Sequence, residues 1–186
     1  MILSRREMLV GAATATTAAG LAGATAAQAP ASAPATHGRT PITTLNGRSL
    51  PWRMVGGVKE FHLVAEEIEH EFAPGTKIKA WGYNGSTPGP TIEAVEGDRV
   101  RILLTNRLPE HTNIHWHGIL LPNGMDGVGG LTQPNIPSGE TWAYEFTLRQ
   151  HGTHMYHPHA DEVTQVASGM MGLFIIHPRD ASEDRV

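Results

Sequence analysis

The chain has 186 residues, of which 40% are hydrophobic, with a formal charge of -4 and no cysteine. Its length and patterning allow one compact domain, the lack of thiols excludes disulfides, thiolate metal sites and cysteine nucleophiles, and the scattered basic residues exclude a nucleic-acid footprint. Against that background stand eleven histidines, seven of them between His111 and His159.

Met1 to Ala26 reads as an export signal. Ser4-Arg5-Arg6-Glu7-Met8-Leu9 leads into a weakly apolar Ala/Thr/Gly stretch that ends in the small-x-small site Ala24-Thr25-Ala26. The paired arginines resemble a twin-arginine signal, with Met8 where Phe is usual and Val10 where Lys is common. The stretch falls short of the roughly 20 strongly apolar residues of a spanning helix, and Pro30 and Pro34 follow it. Cleavage and a periplasmic or extracellular location are therefore expected, without a stable membrane anchor. Residues 27–51, rich in Ala, Pro, Thr and Gly, read as a flexible arm.

From Trp52 to Arg179 the pattern is that of short strands. Expected strands are Glu60 to Glu69, Thr76 to Asn84, Thr91 to Glu96, Arg99 to Asn106, His111 to His117, Thr141 to Leu148, Gly152 to His157 and Met171 to His177. The clearest alternates Trp142, Tyr144, Phe146 and Leu148 against Thr141, Ala143, Glu145 and Thr147. Pro74-Gly75, Asn84-Gly85, Pro88-Gly89-Pro90, Asn123-Gly124 and Pro137-Ser138-Gly139 punctuate the gaps. This predicts an all-β antiparallel sandwich of Greek-key type, with a turn or two of helix only between Asp161 and Met170 and a short tail over residues 180–186.

Two His-x-His pairs carry the chemistry: His115 and His117 in HWHG, and His157 and His159 in HPH. In a strand, alternate side chains share a face about 7 Å apart at the backbone, so each pair forms a pincer. A copper or zinc ion held by histidine alone needs three or four imidazoles. Adjacent strands would put the pairs side by side.

The motif series resembles the N-terminal cupredoxin-like (plastocyanin-like) domain of a multicopper oxidase, the laccase-like family. Asn84-Gly85-Ser86-Thr87-Pro88-Gly89-Pro90-Thr91-Ile92 is similar to its NGxxPGPxI turn and His115-Trp116-His117-Gly118 to its first copper motif. Asp126-Gly127, Thr132-Gln133 and Pro137-Ser138-Gly139 resemble the segment that follows, and Gly152 to His159, with Gln165 and Gly169 to Gly172, resembles GTxxYHxH and its continuation. The resemblance implies copper as cofactor. His115 would ligate the type 2 ion, His117 and His157 would share one type 3 ion, and His159 would bind the other. Together the three ions form a trinuclear cluster that reduces dioxygen to water.

Two departures limit what the chain does alone. With no cysteine it lacks the type 1 copper site, and the family's two further histidine motifs are missing. The chain is thus expected to supply half of a cluster. A further cupredoxin domain or subunit carrying the type 1 copper would complete it, with an unspecified reducing substrate. The alternative is a stand-alone periplasmic copper-binding or copper-buffering protein, and a metal-free interaction module ranks third.

Other side chains have plainer readings. His154 packs or faces the surface, His111 and His151 sit near loop ends, and His37, His62, His70 and His177 have no partner by spacing. Trp116 points away from its flanking ligands into the core. Met170 and Met171 pack beside Gly169 and Gly172, and Asp126 is a turn residue before Gly127.

Overall fold

The computed structural model describes residues 39, 42–44 and 48–184. The expected signal over residues 1–26, the early part of the arm and His37 lie outside the described residues. Among the described residues no helix is long and apolar enough to cross a membrane.

The strands are β1 (Trp52–Val55), β2 (Val58–Ala73), β3 (Thr76–Tyr83), β4 (Ile92–Val95), β5 (Arg99–Asn106), β6 (His115–His117), β7 (Thr141–Thr147), β8 (Gly152–His157) and β9 (Gly172–His177), with one short helix, α1 (Glu162–Ala167). One sheet runs β1-β2-β5-β7 with β3 beside β2, and the other runs β4-β9-β8-β6. This is the β-sandwich expected from the sequence.

Alternation explains the layers. In β5, Val100, Ile102 and Leu104 are wholly buried while Arg99, Arg101 and Leu103 are not. Their side chains join Tyr144 from β7 and meet Trp116, Tyr156 and Phe174 from the opposite sheet. Trp116 is the largest wholly buried side chain, and its ring stands edge-on to Tyr144 at 5.2 Å. An aromatic anchor of this kind contributes about 3–5 kcal/mol relative to alanine.

Three expectations need correcting. Pairing is not purely antiparallel, because β2 runs parallel to β5 and β4 parallel to β9. Intervening strands of the other sheet separate each of these pairs in sequence, and such crossovers permit parallel neighbours. Every residue of β4 is buried accordingly.

The strand expected over His111 to His117 is only His115–His117. Upstream, side chains take over the backbone hydrogen bonds: Asn106 Nδ2 donates to the Glu110 and Ile136 carbonyls at 2.8 and 2.9 Å, and Ile114 N donates to Tyr144 Oη at 3.1 Å.

A further strand, β1, comes from a hairpin whose Gly56 and Gly57 have φ of 57° and 79°. The described residues of the arm make contacts of their own. Leu50 is buried and its N–H donates to the Thr91 carbonyl at 2.7 Å, while Arg39 Nε donates to Asp184 Oδ2 at 3.1 Å. The tail itself forms a 3-10 turn over Ala181–Glu183, capped by Asp180.

Candidate metal centre

β6 is an edge strand, paired antiparallel with β8 so that His115 lies opposite His157 and His117 opposite Met155. Strand parity sends Trp116 into the core and both flanking histidines to the other face. His159 lies two residues past the end of β8, where its backbone N–H donates to Asn113 Oδ1 at 2.6 Å. Asn113 is itself buried and donates through Nδ2 to Asn135 Oδ1 at 2.9 Å.

All four predicted imidazoles converge. The His115 ring centroid is 5.6, 5.5 and 5.3 Å from those of His117, His157 and His159. Ligand atoms of His115, His117 and His157 all lie within 4.8 Å of one another, and His117 Nδ1 is 3.1 Å from His157 Nε2. His159 stands outside that tightest set.

The outer nitrogens fix which atoms face inward. His115 Nδ1 lies 2.9 Å from the Asp126 carbonyl and His157 Nδ1 lies 3.0 Å from the Pro158 carbonyl. Carbonyls only accept, so both Nδ1 atoms carry hydrogen and both Nε2 lone pairs are left for a metal. Burial, the larger effect, pushes the His157 pKa below the ordinary imidazole value despite the opposing Pro158 carbonyl, and the nearby His115 adds to the lowering. The neutral ring is the form that ligates.

Asp126 therefore does more than turn the chain. Its carbonyl orients His115 and its carboxylate lies 3.5 Å from the same nitrogen. Gly127, at φ 85°, lets this loop press on β6, since a Cβ there would overlap the Ile114 carbonyl. Tyr144 braces the same strand from the core, its phenol kept protonated by burial, which pushes its pKa up to about 12.

The remaining histidines among the described residues stay apart from this group. His154 packs beside Gly118 and Gln150, His151 pairs with Glu96 at 3.4 Å, His62 meets Thr105 and His70 meets Phe72. His111 is exposed and offers its carbonyl to Gln165. Met170 is wholly buried, as expected of a packing residue. His177, which has no partner by spacing, is buried between Glu93 and Asp184. Sequence reasoning also passed over Asn113 and the carbonyl role of Asp126. A buried-type amide two residues ahead of His115 was the one available signal.

Comparison with known proteins comes to the same place. The family described as multicopper oxidase matches residues 65–181. The copper resistance protein A homolog of Pseudomonas syringae pv. tomato is 39% identical over 142 residues, covering 76% of this chain and 23% of its own length. Copper resistance protein A of Escherichia coli is 42% identical over 106 residues, covering 57% of this chain and 17% of its own. The chain thus spans about a fifth of the length of these curated relatives. Among solved structures, a multi-copper oxidase from Pseudomonas thermotolerans superposes with a TM-score of 0.65 at 37% identity, over 68% of this chain and 31% of that one. A Campylobacter jejuni multicopper oxidase described as a metallo-oxidase gives 0.66 at 34% identity, over 74% and 30%.

Proposed function

The chain belongs to the multicopper oxidase family, and we propose that His115, His117, His157 and His159 form one wall of its type 2 and type 3 copper cluster. The observation that carries this is the convergence of three imidazoles within 4.8 Å on two paired strands of one chain. An all-imidazole donor set without thiolate suits copper, whose divalent ion leads the first-row affinity series. In this reading His115 serves the type 2 ion through Nε2, His117 and His157 share a type 3 ion through Nδ1 and Nε2, and His159 serves the other. Copper held there, together with the ligands of a further domain or subunit, supplies the four-electron reduction of dioxygen to water.

Each side chain has a task in that scheme. His117 Nδ1 and His157 Nε2 share one hydrogen at 3.1 Å, and these are the two atoms that would hold a type 3 copper. The Asp126 and Pro158 carbonyls keep the His115 and His157 rings from turning. Because the sequence has no cysteine, electrons would enter through a type 1 site on the partner. The leader over residues 1–26 would direct export through a twin-arginine route, placing the site in the periplasm or outside the cell. Residues 52–179 form the plastocyanin-like unit in this scheme.

A second reading, a stand-alone copper-binding protein, is favoured by the fact that the tight trio needs no residue from elsewhere. Copper stoichiometry and an oxidase assay on the purified chain test both. We expect Cu(II) to bind, binding to be lost in the His115→Ala, His157→Ala double variant, and no oxidase turnover by the chain alone. Unchanged binding in that variant rejects the site. Downstream DNA separates the two readings: further histidine-cysteine-histidine motifs support the first, and unrelated sequence within intact operon boundaries supports the second.

A further inference from the structure

Helix α1 connects the two histidine pairs. Gln165 is wholly buried: its Oε1 accepts from Thr112 Oγ1 at 2.7 Å, and its Nε2 donates to the His111 carbonyl at 2.9 Å and to Glu110 Oε1 at 3.0 Å. These partners lie just ahead of His115, so the helix is pinned to the approach of the first pair. Its start is fixed by Asp161, whose Oδ1 accepts from Thr164 N at 3.3 Å. This anchoring holds Glu162 over the second pair, with Oε1 3.9 Å from His157 Nδ1 and Oε2 3.9 Å from His159 Nδ1.

The two rings differ in what else they meet. His157 Nδ1 already donates to the Pro158 carbonyl. His159 Nδ1 makes no hydrogen bond among the described residues, and the Glu162 carboxylate is the acceptor facing it. We propose that Glu162 is the positioning residue of His159, accepting its Nδ1–H so that Nε2 turns into the metal centre. The inference rests on the four-histidine reading above.

Glu162 is half exposed, so a rotation of its side chain by about an ångström closes the gap to hydrogen-bond length. A carboxylate on the outer nitrogen fixes the tautomer and ring orientation and raises the basicity of the inner one, effects worth roughly 10–100-fold in metal affinity. Water competes at a half-exposed side chain, so the lower end of that range is expected.

The test is competitive Cu(II) titration with electron paramagnetic resonance of the purified full chain and its variants. Glu162→Ala should weaken Cu(II) binding by about tenfold and change the copper hyperfine splitting. Glu162→Gln, which keeps an acceptor oxygen, should recover most of the affinity. Val163→Ala, on the 83% exposed neighbouring residue, should bind as the parent does. A parent chain that takes up no copper sinks the four-histidine reading and this inference with it. A parent that binds, with Glu162→Ala matching it in affinity and spectrum, overturns this inference alone. So does Glu162→Gln falling as far as Glu162→Ala, or Val163→Ala falling equally.

Discussion

The proposed metal ligands of β6 and β8 and His177 of β9 belong to the same four-stranded sheet, yet their imidazole nitrogens meet opposite surroundings. In the wall, carbonyls occupy the outer nitrogens of His115 and His157 and leave the inner lone pairs converging. At His177 both nitrogens are taken by carboxylates, Nδ1 lying 2.8 Å from Asp184 Oδ2 and Nε2 3.4 Å from Glu93 Oε2. Those carboxylates are further held by Arg39, Ser49 and the Ile42 N–H. What a ring can do thus follows its partners rather than its burial: a carbonyl partner leaves a lone pair free to ligate, and a pair of carboxylates leaves a fastener between the arm and the tail.

The largest expected effect tests the ligand side. His117→Ala removes an exposed imidazole, so it should cost within about 0.5 kcal/mol of fold stability. It should also weaken Cu(II) binding by more than the roughly 10–100-fold of an outer-shell change. Isothermal titration beside a thermal melt reads both. Copper affinity held at the parent level would break the contrast at its first term.

Next comes the fastener. His177→Ala leaves the buried Glu93 carboxylate and the partly buried Asp184 carboxylate without their shared partner and should destabilise by about 2–3 kcal/mol, with the copper isotherm of the folded protein unchanged. A variant that melts like the parent would show that Arg39 and Ser49 suffice to hold Glu93 and Asp184.

How much of this was legible follows from the range of the forces. The His-x-His spacing and the β7 alternation act over a few residues, so the four imidazoles and the core of that strand could be read directly. His177 could not, because its partners Glu93 and Asp184 are brought to it by parallel pairing of β4 with β9 and by the turn after Asp180. The shortness of β6 was hidden for a related reason: Asn106 and Tyr144 replace ladder hydrogen bonds with side-chain ones. Asp126 looked like turn chemistry since its useful atom is a carbonyl, which every residue carries.

A smaller effect lies where fold and site share a residue. Gln165→Ala leaves the buried Thr112 hydroxyl with only the long 3.4 Å contact to the Asn113 carbonyl and should cost about 1–2 kcal/mol. Unlike His177→Ala, it should also lower Cu(II) affinity, because α1 loses its tie to the approach of His115. Stability loss with intact affinity would place Gln165 with the fastener rather than the wall.

The mildest case is the ladder on the outer face of the larger sheet, where ionisable groups are again spent on one another, with Glu60 buried but Arg53, Arg101 and Glu145 in reach of water. Arg101 donates to Glu60 Oε2 at 3.0 Å and to Glu145 Oε2 at 2.7 Å. Hydrogen bonds from Arg53 first and Arg101 second hold the Glu60 carboxyl below its ordinary pKa, and Arg101 first does so for Glu145. A carboxylate depressed in the folded state contributes stability that is complete above its unfolded pKa of about 4.3 and is lost as pH falls through the lower folded value. The melting temperature of the parent should therefore drop as pH is taken from 5 towards 2. Arg101→Met should flatten that drop by removing a cause common to both shifts, while copper binding at neutral pH stays as in the parent. An acid profile identical in the two proteins would mean that solvent already screens the ladder, and that only enclosed groups such as those around His177 contribute to holding the chain.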